Sequence, residues 1–215
     1  MTAVARKRGS SDRWLREHER DPYVLRARKE GRIARSAYKL AEIDERDKLL
    51  HPGMVVVDLG AAPGGWSQHA MERVGERGRV VSLDLLPLEL SGPEFIQADI
   101  EDEESVVSLH EHLRGDAVSL VMSDMAPNFT GMRAVDQPRS MALAELAREF
   151  ALEVLEEHGK FLVKVFQGEG VDVFKRSLHE HFRRVLVRKP QASRGRSREL
   201  YLLAAERKSV TAATD

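Results

Sequence analysis

Short, nearly continuous apolar runs alternate with amphipathic stretches along this chain, and that alternation narrows its fold more than any other feature. Met54–Val57 runs into Asp58, Val80–Leu83 into Asp84, Phe95–Ile96 leads to Asp99, and Val118–Met122 leads to Asp124. Phe161–Phe166 is a fifth run, interrupted by Lys164. Strands that are apolar on both faces and separated by helices form a parallel sheet covered on both sides. Helices are expected at Ser36–Leu49, with Ser36 as N-cap, at Pro138–Glu157 and at Val171–His181. The last two strands, near Val185–Arg188 and Leu200–Ala205, have no helix between them and should pair antiparallel. The spacing therefore predicts an α/β fold: a seven-stranded, mostly parallel sheet with an antiparallel strand and helices on both faces.

A chain of 215 residues, 42% hydrophobic, can bury one sizeable core. Its apolar runs are far too short to cross a membrane as helices. The first thirty residues are basic and polar, without the apolar stretch of a secretory signal. Cysteine is absent, which excludes disulfides, thiolate nucleophiles and Cys-ligated metal centres. The expected organisation is a basic, partly flexible arm at residues 1–30, with a short helix around Asp12–His18. A single domain over 31–208 and a short tail at 209–215 follow.

The net charge of −1 conceals a strong asymmetry. Residues 1–40 carry 12 Lys/Arg against 5 Asp/Glu, and residues 183–198 carry 7 basic residues and no acid. The intervening 41–182 hold 13 basic and 27 acidic residues. Two cationic segments flanking an acidic body point to a polyanionic partner.

Ligands of open α/β sheets bind beyond the carboxyl ends of the strands. Four successive strands here end at or beside an acid, and the first turn is rich in glycine: Asp58-Leu-Gly-Ala-Ala-Pro-Gly-Gly-Trp66. Glycines permit the tight turn and let a ligand approach the backbone. Pro63 and Trp66 argue against a pyrophosphate cradle. Asp84, at the end of the second strand, is placed to accept hydrogen bonds from ribose hydroxyls. These residues imply a ribonucleoside ligand, with NAD and S-adenosylmethionine as the candidates.

Lys164 stands inside an otherwise apolar strand. An ammonium buried without a partner is costly, so it needs carboxylates nearby or must lose its proton. Asp124 ends the neighbouring strand, Glu199 begins the antiparallel one, and Lys39 reaches the same edge from the preceding helix. The eight histidines show no metal-ligand spacing. No Walker loop, GxSxG elbow or nucleophile–base pair occurs.

The string DLGAAPGGWSQ resembles the S-adenosylmethionine loop of the FtsJ/RrmJ family of RNA ribose 2′-O-methyltransferases. ARSAYKL, DLLPL, SDMAPN, VDQPRS, KVFQGEG and RKPQASRGRSRELY, which lie between Ala34 and Tyr201, resemble that family too, and the likeness extends from about residue 10 to 208. The likeness is to the bacterial large-subunit rRNA members in particular. It implies a Rossmann-like, class I methyltransferase fold and 2′-O-methylation of a uridine ribose in 23S rRNA, with S-adenosylmethionine as donor. The alternatives are a tRNA or mRNA target, or a non-catalytic RNA-binding assembly factor. By the resemblance, the catalytic tetrad falls on Lys39, Asp124, Lys164 and Glu199, with Lys164 as proton acceptor. Cofactor positions fall on Gly64, Trp66, Asp84, Asp99 and Asp124. Arg32, Arg35, Arg194, Arg196 and Arg198 are expected to meet RNA phosphates. The expected protein is a cytoplasmic monomer that acts on 23S rRNA within the large subunit, with neither metal nor membrane.

Overall fold

The computed structural model describes residues 20–195 and 197–209. The expected helix at Asp12–His18, Arg196 and most of the tail lie outside the described residues. The chain runs α1 (Pro22–Glu30), α2 (Ser36–Asp47), β1 (Val55–Leu59), α3 (Gly65–Val74), β2 (Arg79–Asp84) and β3 (Glu94–Gln97). It continues through α4 (Glu103–Leu113), β4 (Val118–Ser123), α5 (Arg133–Val154), β5 (Leu155–Phe166), α6 (Val171–His181), β6 (Phe182–Arg188) and β7 (Glu199–Arg207).

The seven strands form one sheet in the order β3-β2-β1-β4-β5-β7-β6. The first five strands are parallel to one another. β7 inserts antiparallel between β5 and β6, as the missing helix between the last two strands requires. The order reverses between β1 and β4, and at such a switch point the flanking loops part to leave a crevice.

Alternation along each strand feeds two cores. Val57, Leu59, Phe161, Val163 and Val165 face one core, shared with α4, α5 and α6. Val56, Leu120, Met122, Leu162, Tyr201 and Leu203 face the other, closed by α2 and α3. Lys164 continues the Leu162 side of β5, at the end of the strand where the cleft opens.

Three expectations need correction. Helix α5 starts at Arg133 rather than Pro138 and stops at Val154 rather than Glu157. Asp136 ties its first turn to the loop before it, and this tie holds a helix start ahead of the proline. At the other end β5 begins at Leu155, with a register shift against β4 and a positive φ at His158. Finally, the packed part of the chain begins before residue 31. Asp21 caps α1 by accepting from the Tyr23 amide, Pro22 opens the helix and Gly31 closes it. Val24 and Ala27 are buried, and Tyr23 packs on Tyr38 with ring centroids 5.6 Å apart.

Candidate active site

The carboxyl edge of the sheet brings four charged side chains together. In the β5–β7 register Lys164 lies directly opposite Tyr201, so both side chains leave the same face. Ser123 pairs with Val163, which places the next residue, Asp124, beside Lys164. Lys164 Nζ lies 3.1 Å from Asp124 Oδ1 and also donates to the Asp124 carbonyl. The Tyr201 hydroxyl donates to the same Oδ1 at 2.9 Å. Glu199 opens β7, and its Oε1 is 2.8 Å from Lys39 Nζ on α2. Lys164 and Glu199 are only 8% and 9% exposed, so the pairs sit where charges are weakly screened.

Burial pushes the Asp124 carboxyl up, but Lys164, Lys39 and the Tyr201 hydrogen bond together outweigh it and hold the group below the usual carboxylate range. Burial, seconded by Asp124 and Glu199, pushes the Tyr201 phenol well above its ordinary value. Tyr201 therefore stays a neutral donor. Two lysines and two carboxylates neutralise one another, while each lysine keeps donor capacity for a ligand. All but Asp124 line one cleft of about 650 Å³.

Beside this cleft lies the glycine turn. Gly60 has φ +79, and a Cβ there would meet Met125 Cγ at 2.6 Å and its backbone at 3.0 Å. Only glycine lets the turn after β1 pass so close to the segment carrying Asp124. Gly64, at φ +122, precedes α3, whose first turn has no side-chain cap. Its leading amides are therefore open to an anion. Asp84 steadies the turn, accepting from the Ala62 amide at 2.9 Å and from Leu86 at 2.8 Å. That uses one lone pair on each oxygen and leaves the others for hydroxyls. Asp99 accepts from the Glu101 amide at 3.0 Å and is otherwise partly open.

Trp66 stands differently from the other loop residues. Its indole is buried, donates to the Ser36 carbonyl at 3.0 Å and packs 5.5 Å from the Tyr201 ring. Only its backbone is left for a ligand in the loop. Asp58 has a similar surprise. It is fully buried, takes a 2.6 Å hydrogen bond from Ser67, and its Oδ1 has no partner. Burial first, then Asp124 and Asp84, push its carboxyl up to about 7.

The arginines divide into two sets. Arg35 pairs with Asp21 and donates to the Ala192 carbonyl, so it tethers the segment before α1 to the loop after β6. Arg32 is joined to Glu72 at 2.5 Å. Arg194 reaches Asp21 at 3.4 Å and Arg198 reaches Gln137 at 3.4 Å, and both line the cleft. Glu42 holds the backbone of the same loop, accepting from Gln191 and Ala192.

Comparison with known proteins fits this geometry. The family model described as FtsJ-like methyltransferase matches residues 32–207. The chain belongs to the FtsJ-like methyltransferase family. It is 56% identical over 200 residues to the ribosomal RNA large subunit methyltransferase E of Alkalilimnicola ehrlichii, covering 93% of this chain and 96% of that protein. It is 57% identical over 196 residues to the protein of the same name from Xanthomonas oryzae pv. oryzae, covering 90% and 93%. A crystal structure of a Plasmodium falciparum protein described as a ribosomal RNA methyltransferase superposes with a TM-score of 0.73 at 25% identity, covering 81% of this chain and 97% of that one.

As an FtsJ-like methyltransferase the chain takes a methyl donor, and its sheet is the Rossmann-type fold the sequence implied. Sequence reasoning overlooked Tyr201, and it counted Asp58 among the strand-end acids without giving it a role of its own. Tyr201 could have been found from its two-residue spacing from Glu199 in a strand, which sends both side chains to the same face. Nothing in the sequence marks the Asp58 oxygen as unpartnered. Among the described residues no cluster of three His, Asp or Glu side chains is arranged to hold a metal, and no helix is long and apolar enough to cross a membrane.

Proposed function

We propose that this protein transfers the methyl group of S-adenosylmethionine to a ribose 2′-oxygen of 23S rRNA, with Lys164 as proton acceptor. One observation carries the reading: the Lys39–Glu199 and Lys164–Asp124 pairs meet in one cleft beside a glycine turn held by Asp84. The large-subunit methyltransferases it resembles over nine-tenths of its length support rRNA as the substrate.

The residues present suit such a donor. The open amides at Gly64 and Trp66 would hold its carboxylate, Asp84 its ribose hydroxyls and Asp99 its base. The unpartnered Asp58 Oδ1 leaves a buried acceptor next to the turn for a cationic group. When bound, S-adenosylmethionine supplies an activated methyl on a sulfonium.

The chain's own residues have three tasks. Lys39, fixed by Glu199, orients the ribose. Lys164, positioned by Asp124 and Tyr201, accepts the 2′-hydroxyl proton on Nζ, which must be a neutral amine at that moment. Asp124 keeps the lysine aimed. Most of the acceleration comes from alignment, because the methyl group arrives already activated. Arg194 and Arg198 would hold phosphates at the rim, giving affinity without sequence choice. Arg196, outside the described residues, belongs to the same segment.

Ribose methylation mapped across 23S rRNA tests the reading, using cells that lack the protein and the same cells carrying it again. One 2′-O-methyl group should vanish and return. An unchanged map would overturn the proposal.

A further inference from the structure

Phe129 is a large apolar ring left 55% exposed at the mouth of a cleft otherwise rimmed by arginines. Its loop is not slack. Thr130 donates to Asp136 Oδ1 through both its amide and its hydroxyl, each at 2.8 Å, and the Gly131 amide donates to Oδ2 at 3.0 Å. Met132 N adds a bond to the Thr130 hydroxyl at 3.1 Å. The Thr130 amide above all holds the Asp136 carboxyl below the usual range, so the brace is charged at neutral pH.

Behind Phe129 stands Phe166, edge to face, with centroids 5.1 Å apart and planes at 83°. Lys164 Nζ lies 5.7 Å from the centre of the Phe166 ring. Lys164, Phe166 and Phe129 thus form a continuous line from the cleft floor to its rim.

We propose that Phe129 is the stacking platform for the base of the nucleotide being methylated, with Asp136 as the residue that positions it. This rests on the reading that a ribose is delivered to Lys164. The base is joined to the sugar carbon next to the one bearing the 2′-oxygen, so it must lie against the cleft wall close to Lys164. An unpaired base offers an apolar face that a cationic rim cannot satisfy and an exposed phenyl ring can. Rigid bracing of the loop spares the entropy of ordering it when RNA binds. The target nucleotide must therefore be single-stranded or turned out of its helix.

The test compares the full-length wild type with Phe129→Ala, Phe129→Leu, Phe129→Trp and Asp136→Asn. Single-turnover methylation of large subunits from cells lacking the protein is one readout, and binding of single-stranded oligouridylate is the other. Phe129→Ala should raise the RNA concentration for half-saturation about 5- to 150-fold and leave S-adenosylmethionine affinity unchanged. Phe129→Trp should restore it, with indole emission quenched as oligouridylate binds, whereas Phe129→Leu should not. Asp136→Asn should give a smaller rise that disappears in the Phe129→Ala background. Half-saturation unchanged in Phe129→Ala, or leucine serving as well as tryptophan, would overturn the assignment. A wild type that methylates no subunit would defeat the proposed reaction instead, while the oligouridylate quenching would still decide the stacking role.

Discussion

The Tyr201 hydroxyl and Asp124 are joined at 2.9 Å through the carboxylate oxygen that also faces Lys164. The bond spans β7 and the end of β4, across the intervening β5. Trp66 packs on the tyrosine ring, so the glycine turn, the tyrosine, the aspartate and the lysine form one connected unit. Movement in any of them would change where Lys164 Nζ sits.

Tyr201→Phe keeps the ring and deletes only that hydrogen bond. A bond to a charged acceptor is worth about 1.5–3 kcal/mol, and loosening Asp124 by about 1.4 kcal/mol would slow single-turnover methyl transfer about tenfold. The sign of the pH effect follows from the depressed Asp124 carboxyl. Its stabilisation is present above the unfolded pKa and is lost as pH falls through the folded one. Removing the tyrosine donor raises the folded value, so the acid unfolding midpoint should move to higher pH. Circular dichroism across an acid titration would show it, and an unmoved midpoint would mean the bond contributes nothing.

Asp58 carries the opposite sign. Its carboxyl is pushed from 3.8 up to about 7. Below about pH 4 both folded and unfolded forms hold the proton and the group is neutral to stability. Between these values only the unfolded form ionises, so stability declines as pH rises and then levels off. Asp58→Asn should therefore be more stable than wild type by about 1–3 kcal/mol above pH 7, with the advantage vanishing towards pH 4. Denaturant midpoints at several pH values would measure this. A uniform loss at all pH values would show that the carboxylate is stabilising as it stands.

Arg35 and Arg198 should separate under the same pair of measurements. Arg35 is committed to Asp21 and the Ala192 carbonyl, so Arg35→Ala should lower the melting temperature by several degrees, since losing a partly buried ion pair leaves Asp21 short of a partner. Arg198→Ala should leave stability alone and reduce the logarithmic salt dependence of RNA binding by about 0.7. Equal slopes for Arg198→Ala and wild type would remove that arginine from the phosphate contacts.

Much of this site could be read from the sequence, because its parts follow from strand geometry. An acid at or beside the end of four apolar runs and a lysine within the fifth are visible as letters, and parallel strands bring those ends to one edge. The departures come from side chains that find partners outside their own element. Asp136 starts α5 ahead of Pro138 by holding Thr130 and Gly131, and no local propensity reveals that. Arg35 looks like a free cation in sequence, yet Asp21 and the loop held by Glu42 claim it. Trp66 reads as a loop residue, but its indole turns inward to Ser36 and Tyr201. Periodicity shows which face a residue takes, and tertiary partners decide what it does there.

The most direct measurement is the pH dependence of single-turnover methyl transfer by wild type, Lys164→Ala and Lys164→Arg, with nuclease digestion to identify the methylated nucleoside. The wild-type rate should rise with pH through one deprotonation, and the product should be a 2′-O-methylated nucleoside. Both variants should be slower by at least about 10²-fold while keeping cofactor and RNA affinity, because guanidinium does not deprotonate in this range. A Lys164→Arg enzyme working at near wild-type rate would contradict the account, since residue 164 would then act as a fixed cation and not as the proton acceptor.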